Sequence, residues 1–234
     1  MTVNHYSFDD TSTQDAGTRA VSSPTGVYFL NIRVLGPNHR KRLLRHLLAL
    51  ETSDRYLRFG YVANDQQIES YIERLDFVND AVFGVFNHRL EIVGMAHLAM
   101  CRDAAGNTVA DFGVSVNPSL RGKGVGGRLY ERAALHARNE GVEVLQIQAL
   151  AENAAMLAIA RKRGATVHRR GPESEAYLKL PRPDMESQLR ELFEEYWANL
   201  LYNAKAQTRV FCGFLSSFQT LRQRVLSANK VCSP

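Results

Sequence analysis

The stretch of this chain best suited to chemistry is Arg121-Gly122-Lys123-Gly124-Val125-Gly126-Gly127. Its glycines let a backbone approach a ligand closely and take positive φ, and its two cations add charge-assisted hydrogen bonds to an anion. Ahead of it, Val109 to Val116 reads as a strand; behind it, a helical pattern runs from about Gly124 to Asn139. A helix start of this kind presents unpaired N–H groups with the positive end of the dipole behind them, which is a pyrophosphate-binding arrangement.

Spacing separates the families of site built this way. The P-loop ending Gly-Lys-Ser/Thr is absent. Gly122, Gly124 and Gly127 fit G-x-G-x-x-G, but a dinucleotide fold sets its glycines directly after the strand and an acid about 20 residues on, where this chain has Ile147. The Rossmann reading is the runner-up. Residue by residue, the segment resembles the acyl-CoA signature of the GNAT superfamily of N-acetyltransferases: an apolar strand, Pro118 two residues later, then R-G-x-G-x-G. The next strand and the helix beginning at Asn153, with Met156, Ile159 and Gly164 at the matching offsets, extend the likeness through Ala165. Upstream, Ser53-Asp54-Arg55-Tyr56-Leu57-Arg58-Phe59 resembles a stretch of GNAT domains related to bacterial protein-lysine acetyltransferases. A helix C-terminus with cations facing the dipole accounts for that stretch equally well.

The resemblance implies an acetyl-CoA-dependent N-acetyltransferase that passes the acetyl group directly to a primary amine, with a protein lysine as the leading acceptor. It places acetyl-CoA where the strands Val109–Val116 and Val142–Ala149 splay. The pyrophosphate would lie on the N–H groups of Arg121, Gly122, Lys123, Gly124, Val125, Gly126 and Gly127. The pantetheine would run along Val114, Ser115 and Val116 and touch Asn153, which as an Asn at a helix start is also a good N-cap. Many relatives carry a Tyr in the helix after the second strand to protonate the departing thiol; here that offset falls on Ala160. The gap motivates an alternative from another class, a regulatory module that binds acyl-CoA without turnover.

Asp111 is the candidate base, because the related branch tends to place a Glu at this point. Strand alternation puts Asp111, Gly113 and Ser115 on one face and Phe112, Val114 and Val116 on the other. A carboxylate there can take the proton from an ammonium, with the shorter Asp favouring action through a water. The plain alternative is a solvated charge near a strand start. Arg161, Lys162 and Arg163 read as structural cations at a helix end. His97 reads as a satisfied core or hairpin histidine and Cys101 as an inert packed thiol.

The elements that position these residues follow from periodicity. Tyr28, Leu30, Ile32 and Val34 alternate as a strand, and Leu43, Leu44, Leu47 and Leu48 mark a helix after the turn Gly36-Pro37-Asn38. Ile68, Tyr71, Ile72 and Leu75 mark another. Ala81 to Phe86 and Glu91 to Met100 form a hairpin, and short strands near Thr166 to Arg169 and Ala176 to Leu180 follow the helix at Asn153. The fold expected is α/β, a GNAT-like mixed central sheet with flanking helices, plus a C-terminal helical appendage. Residues 1–25, with eleven Ser, Thr or Asp before residue 25, read as a disordered arm. Residues 26–181 form the domain and 182–234 the helical extension. In the extension, Met185, Leu189, Leu192, Phe193, Tyr196 and Leu200 make one apolar stripe, and Phe211, Phe214, Leu215, Phe218, Leu221 and Val225 another, joined by the polar Asn203 to Arg209. They read as an antiparallel pair packed on the chain's own sheet, into a homodimer, or as a wall of the acceptor cleft.

Composition limits the remaining classes. The chain has 234 residues, 45% hydrophobic and 23% charged, which is ordinary for a globular protein. Three distant cysteines form neither a disulfide framework nor a zinc set. No run approaches the roughly 18 apolar residues of a membrane span, so a cytoplasmic protein is expected. The net charge of +5 comes from interspersed residues without a basic tract, which gives nucleic-acid binding no support.

Overall fold

The computed structural model describes residues 31–102 and 106–207. The expected arm 1–25, the start of the first strand at Tyr28 and the second C-terminal stripe from Phe211 lie outside the described residues.

Among the described residues seven strands form one sheet in the order β1-β2-β3-β4-β5-β7-β6, comprising β1 (Ile32–Val34), β2 (Ala81–Phe86), β3 (Ile92–Arg102), β4 (Thr108–Val116), β5 (Val144–Leu150), β6 (Thr166–Arg170) and β7 (Glu173–Lys179). Every neighbouring pair is antiparallel except β4 and β5. The β4–β5 crossover therefore needs an intervening helix, which is α4 (Val125–Asn139). Its Val125, Leu129, Ala133 and Ala137, one stripe at helical spacing, are buried against one face of the sheet together with Phe83, Phe112 and Ile147. Next to it packs α5 (Ala154–Lys162).

The opposite face carries α1 (Arg40–Leu48), α2 (Thr52–Phe59) and α3 (Asp65–Glu73). Leu43 and Leu47 of α1 and Ile68 and Ile72 of α3 form a second core with Val82 and Met95. α3 is started by a reciprocal cap: Asn64 Oδ1 accepts from the Gln67 N–H at 2.9 Å and Gln67 Oε1 from the Asn64 N–H at 3.0 Å. α2 ends at Gly60, φ 81°, which turns the chain toward that cap.

The C-terminal extension differs from expectation. Residues 185–207 form one helix, α6, so Asn203 to Gln207 continue the helix where a linker was expected. Its apolar stripe also fails to pack on the sheet: Met185 is 72% exposed and Tyr196 66%. The other face docks instead, because α4 and β1 offer it polar partners. Glu191 accepts from Arg132 and His136 at 2.7 Å each, Asn139 binds both Glu191 and Ser187, and the Asn31 amide reaches the Ala198 carbonyl at 2.8 Å. Burial alone would raise the Glu191 pKa, but the hydrogen bonds from His136, Arg132 and Asn139 outweigh it and hold the value at about 2.

α6 is fastened mainly through its polar side, and its apolar share is small: Ala198 is buried and Tyr202 packs edge-on against Phe86 at 5.1 Å. Removal of residues 181–234 is therefore expected to leave a soluble domain that melts in one cooperative transition. Light scattering and thermal melting check this, and aggregation of the shortened chain would make α6 a core element. Among the described residues no helix is long and apolar enough to cross a membrane.

Candidate active site

β4 and β5 share three register pairs, Val109 with Val144, Ala110 with Leu145 and Asp111 with Gln146. Beyond Asp111 they diverge: β4 follows β3 to Val116 and β5 follows β7 to Leu150. The edge of β4 that faces the gap keeps backbone donors and acceptors open for a ligand. A cleft of about 710 Å³ fills the divergence.

At one end lies the glycine turn. Gly124 is the N-cap of α4 with φ 77°, and Gly122 has φ 71°, a left-handed conformation that costs other residues roughly 1–2 kcal/mol. A Cβ built on Gly124 would meet nothing within 4 Å, so backbone conformation rather than crowding calls for glycine there. Gly126 is different: its Cβ would lie 3.1 Å from Ile159 Cδ1, which lets α4 and α5 pack closely.

Arg121, Gly122, Gly124, Val125, Gly126 and Gly127 all line the cleft, while Lys123 is exposed and does not. The side chain of Arg121 pairs with the buried Asp54 of α2 and so bridges the glycine turn to the opposite wall. Lys162 and Arg163, expected to serve only their helix end, line the cleft beside the turn. Arg163 pairs with Glu131 of α4.

Midway along, Val114, Ser115 and Val116 line the wall. The Ser115 hydroxyl lies 2.9 Å from His46 Nε2, whose Nδ1 is 3.1 Å from the Ile92 carbonyl. A carbonyl only accepts, so Nδ1 carries the proton and Nε2 accepts from Ser115. Burial pushes the His46 pKa down to about 4. Between the unfolded value near 6.5 and about 4, the unfolded chain binds a proton that the folded one refuses, so stability is lost as pH falls through that window. The loss expected by about pH 4.5 is about 2–3 kcal/mol. Urea unfolding at neutral and acid pH checks it, and His46→Gln is expected to flatten the dependence.

Asn153 caps α5, its Oδ1 accepting from the Met156 N–H at 3.1 Å while its Nδ2 donates to the Leu57 carbonyl at 3.3 Å. Both ends of the amide are thus engaged. Ala160 is fully buried and brings no hydroxyl to the cleft. Neither Tyr130 nor Tyr177 lines it: Tyr130 packs edge-on against Phe112, with its pKa pushed up to about 12 by burial, and Tyr177 donates to Glu175 at 2.7 Å.

At the far end stands Asp111, exposed and on the face of β4 shared with Gly113 and Ser115, as alternation requires. Desolvation by the surrounding protein raises its pKa, opposed chiefly by the charge of Arg58. Arg58 enters from α2, and its guanidinium lies where a Cβ on Gly113 would be, 2.6 Å from that position. Its Nη2 donates to the Tyr71 hydroxyl at 2.9 Å. Tyr71 in turn lies 2.9 Å from His97 Nδ1, and His97 Nε2 lies 2.9 Å from Asp80 Oδ2. The two arginines of α2 therefore do different work. Arg55 ties helix ends together through the carbonyls of Leu48, Leu50 and Ala63 and the carboxylate of Asp65, whereas Arg58 faces the cleft.

His97 is a hydrogen-bonded hairpin histidine, as expected, but Cys101 is exposed rather than packed. His46, Asp54, Tyr71 and Asp80 were not visible as site residues, because nothing in local spacing distinguishes a core polar group from one aimed at a cleft. Among the described residues no cluster of three His, Cys, Asp or Glu suits a metal ion.

Residues 43–165 match the model of the acetyltransferase (GNAT) family. Among solved structures, the GNAT domain of PAT from S. lividans superposes with a TM-score of 0.55 at 19% identity, covering 64% of this chain and 89% of that one. An acetyltransferase described as putative, from Acinetobacter baylyi, gives 0.52 at 15% identity, over 65% and 93%. The ribosomal-protein-alanine N-acetyltransferase of Brucella melitensis gives 0.50 at 18%, over 64% and 99%. At such identities the likeness is one of fold. No curated protein matches the sequence.

Proposed function

The chain belongs to the acetyltransferase (GNAT) family, and from that premise we propose that it carries an acetyl group from acetyl-CoA directly to a primary amine, with a protein lysine as the leading acceptor. The observation that supports this most is the divergence of β4 from β5 past Asp111, which leaves one cleft with a glycine turn at one end and a carboxylate at the other.

In this reading the pyrophosphate of acetyl-CoA lies on the N–H groups of Gly122 to Gly127; the Arg121 N–H, also expected to serve, donates to the Pro118 carbonyl at 3.2 Å. Lys162 and Arg163 add charge beside it, with Lys162 and Arg163 rather than Lys123 lining the wall. The pantetheine runs along the open edge of β4 at Val114 to Val116, as an added strand would. The side chains of Ser115 and Asn153 are already engaged, so contact there falls mainly to backbone.

The acceptor approaches from the Asp111 end as an ammonium with a pKa near 10.4. Asp111, directly or through a water, removes its proton. The freed lone pair attacks the thioester carbonyl and the C–N bond forms; as the C–S bond breaks, the nitrogen gives up its second proton to solvent, leaving a neutral amide, and CoA leaves as a thiolate. With Ala160 in place of a tyrosine, that thiolate takes its proton from solvent entering the cleft. A family of acetyltransferases favours turnover over silent acyl-CoA binding.

The test is acetyl-dependent release of free CoA in a thiol assay across lysine peptides, purified protein fractions, polyamines, amino acids and aminoglycosides. Release with lysine peptides or proteins is expected. Release with only the small amines would move the acceptor class, and none with any amine would overturn the transferase reading.

A further inference from the structure

We propose that Arg58 is a positioning residue of this site, a fixed cation that keeps Asp111 ionised and makes the incoming ammonium a stronger acid, and that Tyr71, His97 and Asp80 form the chain that holds it in place. The role rests on the reading of Asp111 as the acceptor-side base.

The arrangement begins with a missing side chain. Gly113 stands opposite His97 in the β3–β4 register and between Asp111 and Ser115 on the same face of β4. A Cβ there would lie 2.6 Å from Arg58 Cζ and 2.7 Å from each of Nη1 and Nη2, so the guanidinium occupies the space the glycine leaves. Any larger residue at 113 would expel it.

The hydrogen bonds behind it have a determined direction. Asp80 accepts the Met100 N–H through Oδ1 and faces His97 Nε2 through Oδ2. A carboxylate accepts, so Nε2 carries the imidazole proton and Nδ1 accepts from the Tyr71 hydroxyl, whose oxygen is left to accept from Arg58. Burial raises the Tyr71 pKa and lowers that of His97, which keeps both links neutral. The chain orients the guanidinium without neutralising it. Tyr71 is its hydrogen-bond partner among the described residues, and its Nε is buried with none.

Around Asp111 stand Arg58 from α2, Tyr71 from α3, His97 from β3 and the uncharged Gln146 in register on β5, with Asp80, ahead of β2, behind His97. Arg58 is the permanent cation in this set. A cation beside a carboxylate favours its charged form, and a cation beside an ammonium favours loss of its proton. The first effect keeps the carboxylate free of a proton before the acceptor arrives, at the cost of a lower proton affinity; the second loosens the acceptor's hold on its own proton and is the one that promotes the transfer.

The experiment follows the side-chain carboxyl of Asp111 by carbon NMR across pH, with neither acetyl-CoA nor acceptor present, in wild type, Arg58→Lys, Arg58→Gln and Tyr71→Phe. Arg58→Gln is expected to move the Asp111 midpoint to higher pH, Tyr71→Phe to move it part of the way, and Arg58→Lys to restore most of the difference. An unmoved midpoint in a folded Arg58→Gln protein overturns the proposal. Should that variant fail to fold, an unmoved midpoint in Tyr71→Phe does the same. The outcome is separate from the acceptor-side role of Asp111: a midpoint that moves while Asp111→Asn keeps full activity removes Asp111 as base and leaves the electrostatic clamp standing.

Discussion

Asp111→Asn is expected to lower turnover about 10²- to 10⁴-fold, the usual worth of a general base, while leaving CoA affinity nearly unchanged. The asymmetry follows from position. Asp111 is the last residue at which β4 and β5 are still paired, so it stands at the acceptor end of the cleft and away from the glycine turn. Asn keeps the size of the side chain and removes its capacity to take a proton. The check is steady-state kinetics with whichever amine the thiol assay identifies, alongside calorimetry with CoA. A rate within about a factor of two of wild type would remove Asp111 from proton transfer, because loss of a working base cannot be that mild. Raised pH should partly rescue the variant, because an acceptor with a pKa near 10.4 then arrives increasingly as the free amine and no longer needs the base. In wild type, activity is expected to fall on acidification as Asp111 protonates, with a midpoint above the ordinary aspartate value because desolvation raises its pKa.

Gly124→Val is expected to weaken CoA binding at least about tenfold, equivalent to about 1.4 kcal/mol or more. Two effects act together. At φ 77° a β-branched residue is strained, and the chain relieves the strain by moving the turn whose N–H groups would receive the pyrophosphate. Its side chain also projects into space that is open in the structure and that a bound anion needs. The added Cβ meets no protein atom within 4 Å, so the domain is expected to stay folded. Calorimetry with CoA and a thermal melt together check both halves. Unchanged affinity in a folded variant would place the pyrophosphate elsewhere.

Much of this organisation is legible without coordinates. The glycine turn is a local requirement on backbone freedom, so Gly122 and Gly124 announce it wherever the rest of the chain goes. The stripes Leu43–Leu47 and Ile68–Ile72 specify α1 and α3, because a helix repeats its faces every 3.6 residues whatever lies against it. A strand alternates with a period of two, and that alone puts Asp111, Gly113 and Ser115 on one side of β4. Periodicity also revealed the stripe of α6.

It could not say which side of α6 would dock. That depended on Arg132, His136 and Asn139 standing across from Glu191 and Ser187, more than forty residues away in sequence. The same reason hides the far end of the cleft. Arg58, Tyr71, Asp80, His97 and Gly113 come from two helices, a loop and two strands, and each alone reads as an ordinary surface or core residue. Periods within one element are set by local geometry, which a sequence carries in full. The pairing of one side chain with another across elements is set by register and helix placement, which only the packed chain decides.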